Sequence, residues 1–428
     1  MKDEDVRLVR ASFERVSRRA DHAVKFFYTH LFANNPSVRG LFPEDMGEQR
    51  DRLFAALGHV VTHLDDPALP GVLLQLGRDH RKFEAADAHY DAVGASLVAA
   101  LAYVSEQTWD ARTEAAWVAA YTVAAGAMRQ GAALAEAAGE PSHWDATVLS
   151  HRLHHGHTAV LTVLTDRPYP YRSGQYATLC SPRRPRVWRP YSVACAPRGD
   201  GILEFHVARV QGGLLSTALC DEVRPGDRLR LGPASGAVTA PARPASDITL
   251  FAAGSGWSST KALLEELRGA RPEPRLRLEI LARTEAHSYD LPVVGALPHR
   301  HASIDVSWWH PRPFESRANA TSRFHASMAA RDDWADQDVY LSGPPAFVSE
   351  LVELLVRRGA DPDRVRFDPV PPSATAAQRT LSHAEHFLDP RPTPWIDPAA
   401  RTGAVPDTAP PPGPGPTPSL AGRLRPLL

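Results

Sequence analysis

Residues 26–42 read FFYTHLFANNPSVRGLF, and this stretch decides the fold class of the first third of the chain. Counted from Val24, the side chains of Tyr28 and Leu31 recur at the i, i+4 and i+7 spacing of one helix face. The segment 34–36, Asn-Asn-Pro, then ends the helix, because asparagine and the position before proline both disfavour helical backbone. The stretch therefore predicts an amphipathic helix followed by a turn.

The same helical period continues along the rest of this region. Apolar faces recur over residues 49–60, 73–83, 90–104 and 112–138. Residues 1–138 also hold only 4 of the 39 prolines, and proline is nearly excluded from helix interiors. We therefore predict an all-α domain over residues 1–138.

Beyond residue 138 the pattern changes, because prolines become frequent and the apolar bursts become short. Bursts such as TAVLTVLTD and LEFHVARV predict an antiparallel β-barrel over residues 150–241, after a linker at 139–149. Residues 242–372 alternate strand and helix patterns, which predicts an α/β domain with a parallel sheet. Residues 373–428, rich in Pro, Ala, Thr and Gly, predict a disordered tail.

Composition narrows the class of protein. The 48 Lys and Arg residues balance 49 Asp and Glu residues, so no nucleic acid or anionic membrane is expected as a partner. Cys180, Cys195 and Cys220 form no CxxC pair, which favours buried free thiols over disulfides or a cysteine metal site. The N-terminus lacks a signal-peptide pattern, and the longest apolar stretches are shorter than the roughly 18–20 residues of a membrane span. We therefore expect a cytoplasmic monomer without a transmembrane segment.

Three polar residues interrupt apolar helix faces in the first domain. Taken alone, His80 is more typical of a satisfied core histidine than of a metal ligand, but Gln49 and Tyr28 also point inward. Burying such groups without partners costs about 1–3 kcal/mol each. A haem whose iron is held by His80, with a bound gas polarised by Tyr28 and Gln49, satisfies all three residues.

Residues 1–138 resemble the globin domain of flavohaemoglobins, and the resemblance extends to about residue 372. It rests on FFYTHLFANNPSVRGLF, GEQRDRLFAAL and RDHRKFEAADAHYDAVGASLVAAL. The resemblance implies one haem (heme b) with His80 as proximal iron ligand and Tyr28 and Gln49 as the distal oxygen-binding pair. It also implies that Phe42 wedges the haem, that Leu53 lies over the iron, and that Tyr90 belongs to a proximal relay.

The proximal side departs from the family pattern. Ala132 stands where the family has the glutamate of the relay, and Glu136, one turn further, is a possible substitute. Asp79 stands where the family often has a lysine. Without the carboxylate, His80 is expected to be a weaker electron donor to bound oxygen.

Three motifs in the second domain resemble the FAD-binding motifs of ferredoxin-reductase-like flavoproteins. The resemblance implies one FAD, with an arginine on the pyrophosphate, tyrosines and a serine near the flavin, and glycines at a second phosphate-binding turn. An ordinary barrel with glycine turns is the alternative interpretation. The implied residues are Tyr176 in Gly174-Gln175-Tyr176, then Arg189, Pro190, Tyr191 and Ser192, then Gly212, Gly213 and Ser216.

The third domain opens with ITLFAAGSGWSST, a strand pattern followed by G-x-G and a helix start. Its resemblance to nicotinamide-nucleotide domains implies NAD(P)H as electron donor, and Arg283-Thr284 does not decide between NADH and NADPH. Relatives end this domain with an acid and an aromatic that covers the flavin ring, and this chain has Asp368 and Val370 at those positions. The implied nucleotide-binding residues are Gly254, Ser255, Gly256, Trp257, Ser258 and Ser259, then Ser342, Gly343 and Pro344.

The histidine-rich segment HRLHHGH at 151–157 offers no cysteine or carboxylate to complete a metal site, so a solvated hairpin is favoured.

The resemblance implies a nitric oxide dioxygenase, in which electrons pass from NAD(P)H through FAD to haem, and O2 and nitric oxide give nitrate. Two alternatives remain open. One is a haem-based gas or redox sensor with a slow reductase, which Ala132, Asp79 and Val370 favour. The other is an NAD(P)H-dependent haem or flavin reductase with another acceptor, such as peroxide or a quinone.

Overall fold

The computed structural model of the protein describes residues 2–241, 247–270, 272–284 and 287–367. The first part is helical, as the apolar period predicts, and short 3₁₀ turns at Pro36–Leu41 and Arg81–Phe83 follow the second and fourth helices. Helix α2 ends at Asn34, directly before the Asn35-Pro36 turn. The helices are α1 (Asp3–Ser17), α2 (Ala20–Asn34), α3 (Gly47–Thr62), α4 (Leu69–His80), α5 (Asp87–Val104) and α6 (Ala111–Ala137).

The core of this helical domain is formed by the apolar faces that the sequence shows. Leu31 on α2, Leu101 on α5 and Trp117 on α6 are almost completely buried, and burying such a side chain is worth about 1.5–3 kcal/mol. Helix α4 packs along α6, and α2 packs along α5. Because α4 ends at His80, its packing on α6 determines where that histidine lies.

The second part is a six-stranded antiparallel sheet in the order β4-β3-β6-β1-β2-β5. A bridge between Val193 and Phe205 joins the two edge strands, which curls the sheet into a barrel. The elements are β1 (Trp144–His154), β2 (Thr158–Thr165), β3 (Tyr176–Ser181), β4 (Arg184–Ser192), β5 (Ile202–Ala208), α7 (Leu214–Asp221) and β6 (Arg228–Leu231).

Strand β1 begins before the expected start of the barrel. Trp144 is buried, and its indole N–H donates to the Pro168 carbonyl at 2.9 Å. The expected linker at 139–149 therefore includes the first residues of the sheet.

The third part is a parallel sheet in the order β11-β10-β7-β8-β9. Leu250 and Phe251, neighbours on one strand, belong to separate apolar cores, so both faces of the sheet are covered. The strands are β7 (Asp247–Ala253), β8 (Arg275–Leu281), β9 (Ile304–Trp309), β10 (Asp338–Ser342) and β11 (Val365–Arg366). The helices are α8 (Trp257–Leu267), α9 (Leu291–Gly295), α10 (Leu297–Arg300), α11 (Arg317–Ala329) and α12 (Pro345–Arg357).

The predicted fold class of helical domain, antiparallel barrel and parallel α/β domain is confirmed for the described residues. The expected disordered tail at 373–428, together with Asp368 and Val370, lies outside them. The three cysteines are buried free thiols. In the part of the chain that the structure describes, no helix has the length and apolar character needed to cross a bilayer.

The histidine-rich segment 151–157 forms the end of β1 and the turn that leads into β2. His155 and His157 are exposed, but the His157 ring also stacks on His287 of the parallel-sheet domain, with centroids 4.6 Å apart. The hairpin therefore contacts a second domain as well as solvent. Among the described residues, no group of three or more His, Cys, Asp or Glu side chains is placed to hold a metal ion.

Candidate functional site

Tyr28 and Gln49, the expected distal pair, lie together where α2 passes the first turn of α3. The Tyr28 hydroxyl donates to the main-chain carbonyl oxygen of Gln49 at 3.4 Å. Phe42 packs edge-on against Tyr28 with ring centroids 5.6 Å apart, and Leu53 follows one turn after Gln49. Burial raises the pKa of Tyr28, so its hydroxyl keeps its proton and can donate a hydrogen bond.

His80, the expected proximal ligand, is the last residue of α4. Its Nδ1 lies 2.8 Å from the Leu76 carbonyl oxygen. Because a carbonyl oxygen only accepts hydrogen bonds, Nδ1 carries the proton and Nε2 keeps a lone pair. Burial lowers the pKa of His80 and so favours the neutral ring, which is the form that ligates a metal.

Tyr90, the expected relay residue, is buried on α5 and faces a cation. The Arg129 guanidinium lies 5.4 Å from the centre of its ring, and the Tyr121 hydroxyl donates to its main-chain carbonyl. Glu136 is exposed near the end of α6, so the structure does not turn it inward as a substitute for the carboxylate missing at Ala132. The relay through Tyr90 stays a prediction.

Two arginines beside these residues test whether a haem fits. Among the described residues, Nε of Arg50 and one Nη of Arg81 are buried without a hydrogen-bond partner. Arg50 follows Gln49 and Arg81 follows His80, and each unpaired donor costs about 1–3 kcal/mol. A haem offers an apolar ring, an iron atom and two carboxylates. The available Nε2 of His80 and the aromatic side chains beside Tyr28 fit the iron and the ring, and the unpaired N–H groups of Arg50 and Arg81 are donors of the kind that its carboxylates accept from.

The barrel brings the first two FAD motifs together by strand pairing. Tyr176 on β3 lies directly opposite Ser192 on β4, and Arg189 lies on the same strand as Ser192. Tyr191 packs against the barrel core, and burial raises its pKa.

The third FAD motif lies against the same strand. Helix α7, which begins after Gly212 and Gly213, packs against β4, and Ser216 accepts a hydrogen bond from the Val210 N–H at 3.2 Å. Backbone N–H groups at such a helix start and an arginine on the neighbouring strand fit an extended diphosphate cofactor.

Arg189 forms an ion pair with Glu48 on α3 of the helical domain. Glu48 directly precedes Gln49, and it also approaches Arg52 at 3.5 Å. The residue expected to hold the FAD diphosphate is thus in contact with the helix that carries the distal glutamine.

The nucleotide motifs meet at the point where the order of strands in the parallel sheet reverses. From β7 the chain proceeds to β8 on one side and later to β10 on the other, and ligands of open α/β sheets bind at the carboxyl ends of strands beside such a point. A Cβ on Gly256 would lie 2.2 Å from the Ser342 carbonyl oxygen, so only glycine permits this approach of the two loops. Gly343 and Pro344 follow Ser342 and lead into α12.

The remaining nucleotide residues tie this loop to its surroundings. The Ser258 hydroxyl donates to the Ser255 carbonyl at 2.8 Å, and the Trp257 indole donates to Asp290 at 3.0 Å. The Ser259 hydroxyl donates to the Gly174 carbonyl at 3.4 Å, which links the nucleotide loop with the first FAD motif. Burial lowers the pKa of Arg283, which follows β8.

A seam of buried and half-buried side chains joins the proximal helix to the barrel. The Lys82 ammonium lies 2.6 Å from both carboxylate oxygens of Asp79 and donates to the Thr178 hydroxyl at 3.0 Å. The Phe83 ring packs edge-on against the rings of His80 and Trp188, with centroid distances of 5.5 Å and 6.3 Å. Trp188 precedes Arg189, so the aromatic contacts run from the candidate iron ligand to the FAD strand.

Sequence reasoning did not single out Glu48, Lys82 or Trp188. The spacing of Asp79 and Lys82 at i, i+3 was an available signal for an ion pair, but it does not reveal that the pair is buried against another domain. Glu48 and Trp188 adjoin residues that were singled out, and only the tertiary structure gives them partners.

Comparison with known proteins supports these assignments at the level of domains. Residues 25–128 match the globin family, and residues 147–239 match the oxidoreductase FAD-binding domain family. The chain is 27% identical to a flavohemoprotein of Rhodopirellula baltica over 399 residues, covering 86% of this chain and 97% of that protein. It is 26% identical to a flavohemoprotein of Bordetella pertussis, covering 84% of this chain and 95% of the relative.

A solved structure shares the fold. The flavohemoglobin from Malassezia yamatoensis, determined with bound FAD and heme, superposes with a TM-score of 0.70 at 17% identity, covering 86% of this chain and 98% of that one. The expected order of globin and FAD-binding domains is therefore confirmed. The chain therefore combines a globin domain with an oxidoreductase FAD-binding domain, and it is similar along most of its length to flavohemoproteins.

Proposed function

We propose that the protein is an NAD(P)H-dependent nitric oxide dioxygenase that uses haem and FAD. One NAD(P)H supplies two electrons, which suffice to convert two nitric oxide and two O2 molecules into two nitrate ions with release of one proton. The observation that carries the proposal is the seam from His80 through Phe83 to Trp188, because it joins the candidate haem and FAD sites of one chain. Bound haem and FAD would supply the one-electron and hydride chemistry.

The globin residues would hold and polarise the reactants. His80 would ligate iron through Nε2, since its Nδ1–H is committed to the Leu76 carbonyl. Tyr28 would turn its single hydroxyl proton from the Gln49 carbonyl to the reacting gas and donate a hydrogen bond to it, and Gln49 would assist from the start of α3. Phe42 and Leu53 would provide the apolar walls that exclude water.

The reductase residues would position two nucleotides. Arg189 and the Gly212–Gly213 turn would bind the FAD diphosphate, while Tyr176, Tyr191 and Ser192 would contact the flavin. The loop at 254–259 would bind the diphosphate of NAD(P)H, and Ser342, Gly343 and Pro344 would line the nicotinamide. We propose domain boundaries at residues 138, 241 and 372 for these three functions.

The test measures nitric oxide consumption under oxygen with NADH or NADPH, together with the nitrate formed. We expect one nitrate for each nitric oxide and no consumption by His80→Ala. His22→Ala, an exposed histidine on α2, is the matched control and should retain full activity. Oxidation of NAD(P)H without nitrate, together with reduction of peroxide or a quinone, would favour the reductase alternative.

A haem-based gas or redox sensor is the second candidate, because no carboxylate among the described residues accepts the Nδ1–H of His80. His80 donates to a neutral carbonyl, and Glu136 is exposed. If the protein is a sensor, gas binding should change the haem spectrum, whereas addition of NAD(P)H should leave both the flavin and the haem oxidised.

A further inference from the structure

A cluster of charged and polar side chains is enclosed where the barrel meets helix α8. Glu204 and His206 lie on β5, and Lys261 and Glu265 lie on α8. The Lys261 side chain is 10% exposed and the His206 side chain is fully buried. Enclosing an ammonium costs several kcal/mol unless partners with good geometry surround it, so this cluster is held in one arrangement.

All three N–H donors of Lys261 have a partner. They reach the Ala194 carbonyl at 2.9 Å, Glu265 at 2.8 Å and Glu204 at 3.1 Å. The second carboxylate oxygen of Glu265 accepts the Ala196 N–H at 3.0 Å. Ala194 and Ala196 lie in the residues after the Arg189–Ser192 motif, so the cluster attaches α8 to the chain segment that leaves the FAD motif.

A second connection runs through His206. Its Nε2 lies 2.8 Å from Glu204 and its Nδ1 lies 3.1 Å from the hydroxyl of Tyr289, which is buried. Asp290, the next residue, accepts the indole N–H of Trp257 at the start of α8. The first turn of α8 is therefore linked to the barrel through Asp290 and Tyr289, and the second turn through Lys261 and Glu265.

The electrostatics of the cluster keep the Glu204 and Lys261 side chains charged. Burial alone would raise the pKa of Glu204, but the hydrogen bond from His206 and the charge of Lys261 lower it to about 2. Burial alone would lower the pKa of Lys261, but the charges of Glu204 and Glu265 raise it above its usual value. Glu204 and Lys261 therefore stay ionised throughout the neutral pH range.

Helix α8 begins within the segment 254–259 that would bind the NAD(P)H diphosphate. We infer that Lys261 is a positioning residue, which sets the distance between the nicotinamide and the flavin by fixing α8 to the segment after Ser192. This inference rests on the proposed function and deepens it. Hydride transfer needs the reacting atoms within about 3–3.5 Å, and a displacement near 1 Å costs up to about 100-fold in rate.

Removing the Lys261 ammonium should make the rate of flavin reduction depend on pH. Lys261→Met leaves Glu204 and Glu265 facing each other, and like charges in a poorly solvated site repel. Protonation of one carboxylate at lower pH relieves this repulsion. The other titratable or charged groups of the described residues that face the cluster are His206 on β5, His154 on β1, Arg198, Cys195 and Tyr171 from the barrel loops, and Tyr289 and Asp290 after β8.

The experiment is anaerobic stopped-flow reduction of the flavin in the holoprotein by NADH and by NADPH, with calorimetric binding of ADP as a separate readout. For Lys261→Met we expect at least a tenfold lower limiting rate, with the half-saturating nucleotide concentration and ADP affinity within twofold of wild type. The loss should be larger at pH 8 than at pH 6. Lys261→Met/Glu265→Gln should recover most of the rate and flatten this pH profile.

Lys25→Met is the matched control, because Lys25 forms an exposed i,i+4 pair with Asp21 at 2.6 Å far from the nucleotide loop. It should behave as wild type. A wild-type rate in Lys261→Met, a parallel loss of ADP binding, or a double variant no faster than the single one would overturn the inference. Should Lys261→Met not fold, Glu265→Gln alone should lose rate several-fold at constant ADP affinity. Absence of flavin reduction in the wild type would instead overturn the proposed function itself, and this inference with it.

Discussion

Replacing Gly77 by alanine tests how the helix that carries His80 is held in the globin domain. A Cβ at Gly77 would lie 1.8 Å from the Met128 carbonyl oxygen on α6, and a Cβ at Gly131 would lie 1.9 Å from the Leu74 carbonyl. The two helices therefore touch backbone to backbone. Real Cβ atoms stay at least 3.0 Å from such atoms, so Gly77→Ala must move α4 away from α6 by about 1.2 Å.

The expected cost follows from this displacement. Overpacking a core typically costs about 1–3 kcal/mol, and a shift of a whole helix puts Gly77→Ala at or above the upper end, about 3 kcal/mol. With urea slopes of about 1–3 kcal/mol per molar, the unfolding midpoint of the globin domain should fall by about 1–3 M. His80 lies one turn after Gly77, so haem retention should fall as well.

The assay is urea unfolding followed by far-ultraviolet circular dichroism and by the haem Soret band. Gly71→Ala on the same helix is the control, because a Cβ there meets nothing within 4 Å. Alanine is the better helix former by about 0.5–1 kcal/mol, so this variant should match or exceed wild type. Equal midpoints for Gly77→Ala and Gly71→Ala would refute the close contact of α4 and α6.

Three further changes have defined outcomes. Lys82→Met leaves the carboxylate of Asp79 without its cation at a site where the Lys82 side chain is only 2% exposed. We expect the free energy of unfolding in urea to fall by about 3 kcal/mol and to be partly recovered in Lys82→Met/Asp79→Asn. An unchanged unfolding midpoint would contradict this. Glu48→Gln removes the carboxylate that pairs with Arg189 and so competes with the FAD diphosphate for this guanidinium. The flavin-free variant should therefore bind FAD about two- to fivefold more tightly in fluorescence titrations. An affinity equal to that of wild type would count against the competition. Burial and neighbouring cations lower the pKa of His287 to about 4 in the folded protein. In the unfolded chain this histidine has an ordinary pKa near 6.5, so as the pH falls the unfolded chain is protonated at His287 before the folded one. The stability it contributes is present above about pH 6.5 and is lost between about 6.5 and 4; His287→Gln should flatten the Tm profile in that window, and a profile as steep as that of wild type would exclude His287 as a cause.

The sequence predicts the local features well because they depend on neighbouring residues. The Asn-Asn-Pro signal correctly predicts the end of α2, and the strand pattern predicts an antiparallel barrel. The pairing of Tyr176 with Ser192 then follows from strand register, although the sequence alone does not specify which strands pair.

The contacts between domains could not be predicted, because their partners are distant in sequence. In isolation, Lys261 and Glu265 look like an ordinary exposed i,i+4 pair on a helix. Only the docking of α8 on β5 brings Glu204 to the same ammonium. The early start of β1 has the same cause, since Trp144 gains its burial and its hydrogen bond from residue Pro168.

The most direct test of the central claim is anaerobic addition of NADH or NADPH to the purified holoprotein, with flavin and haem absorbance followed together. We expect the flavin band to bleach first and the haem Soret band then to move to its reduced position in the same molecules. Bleaching of the flavin while the haem stays oxidised would contradict electron transfer between the two sites, and with it the proposed dioxygenase.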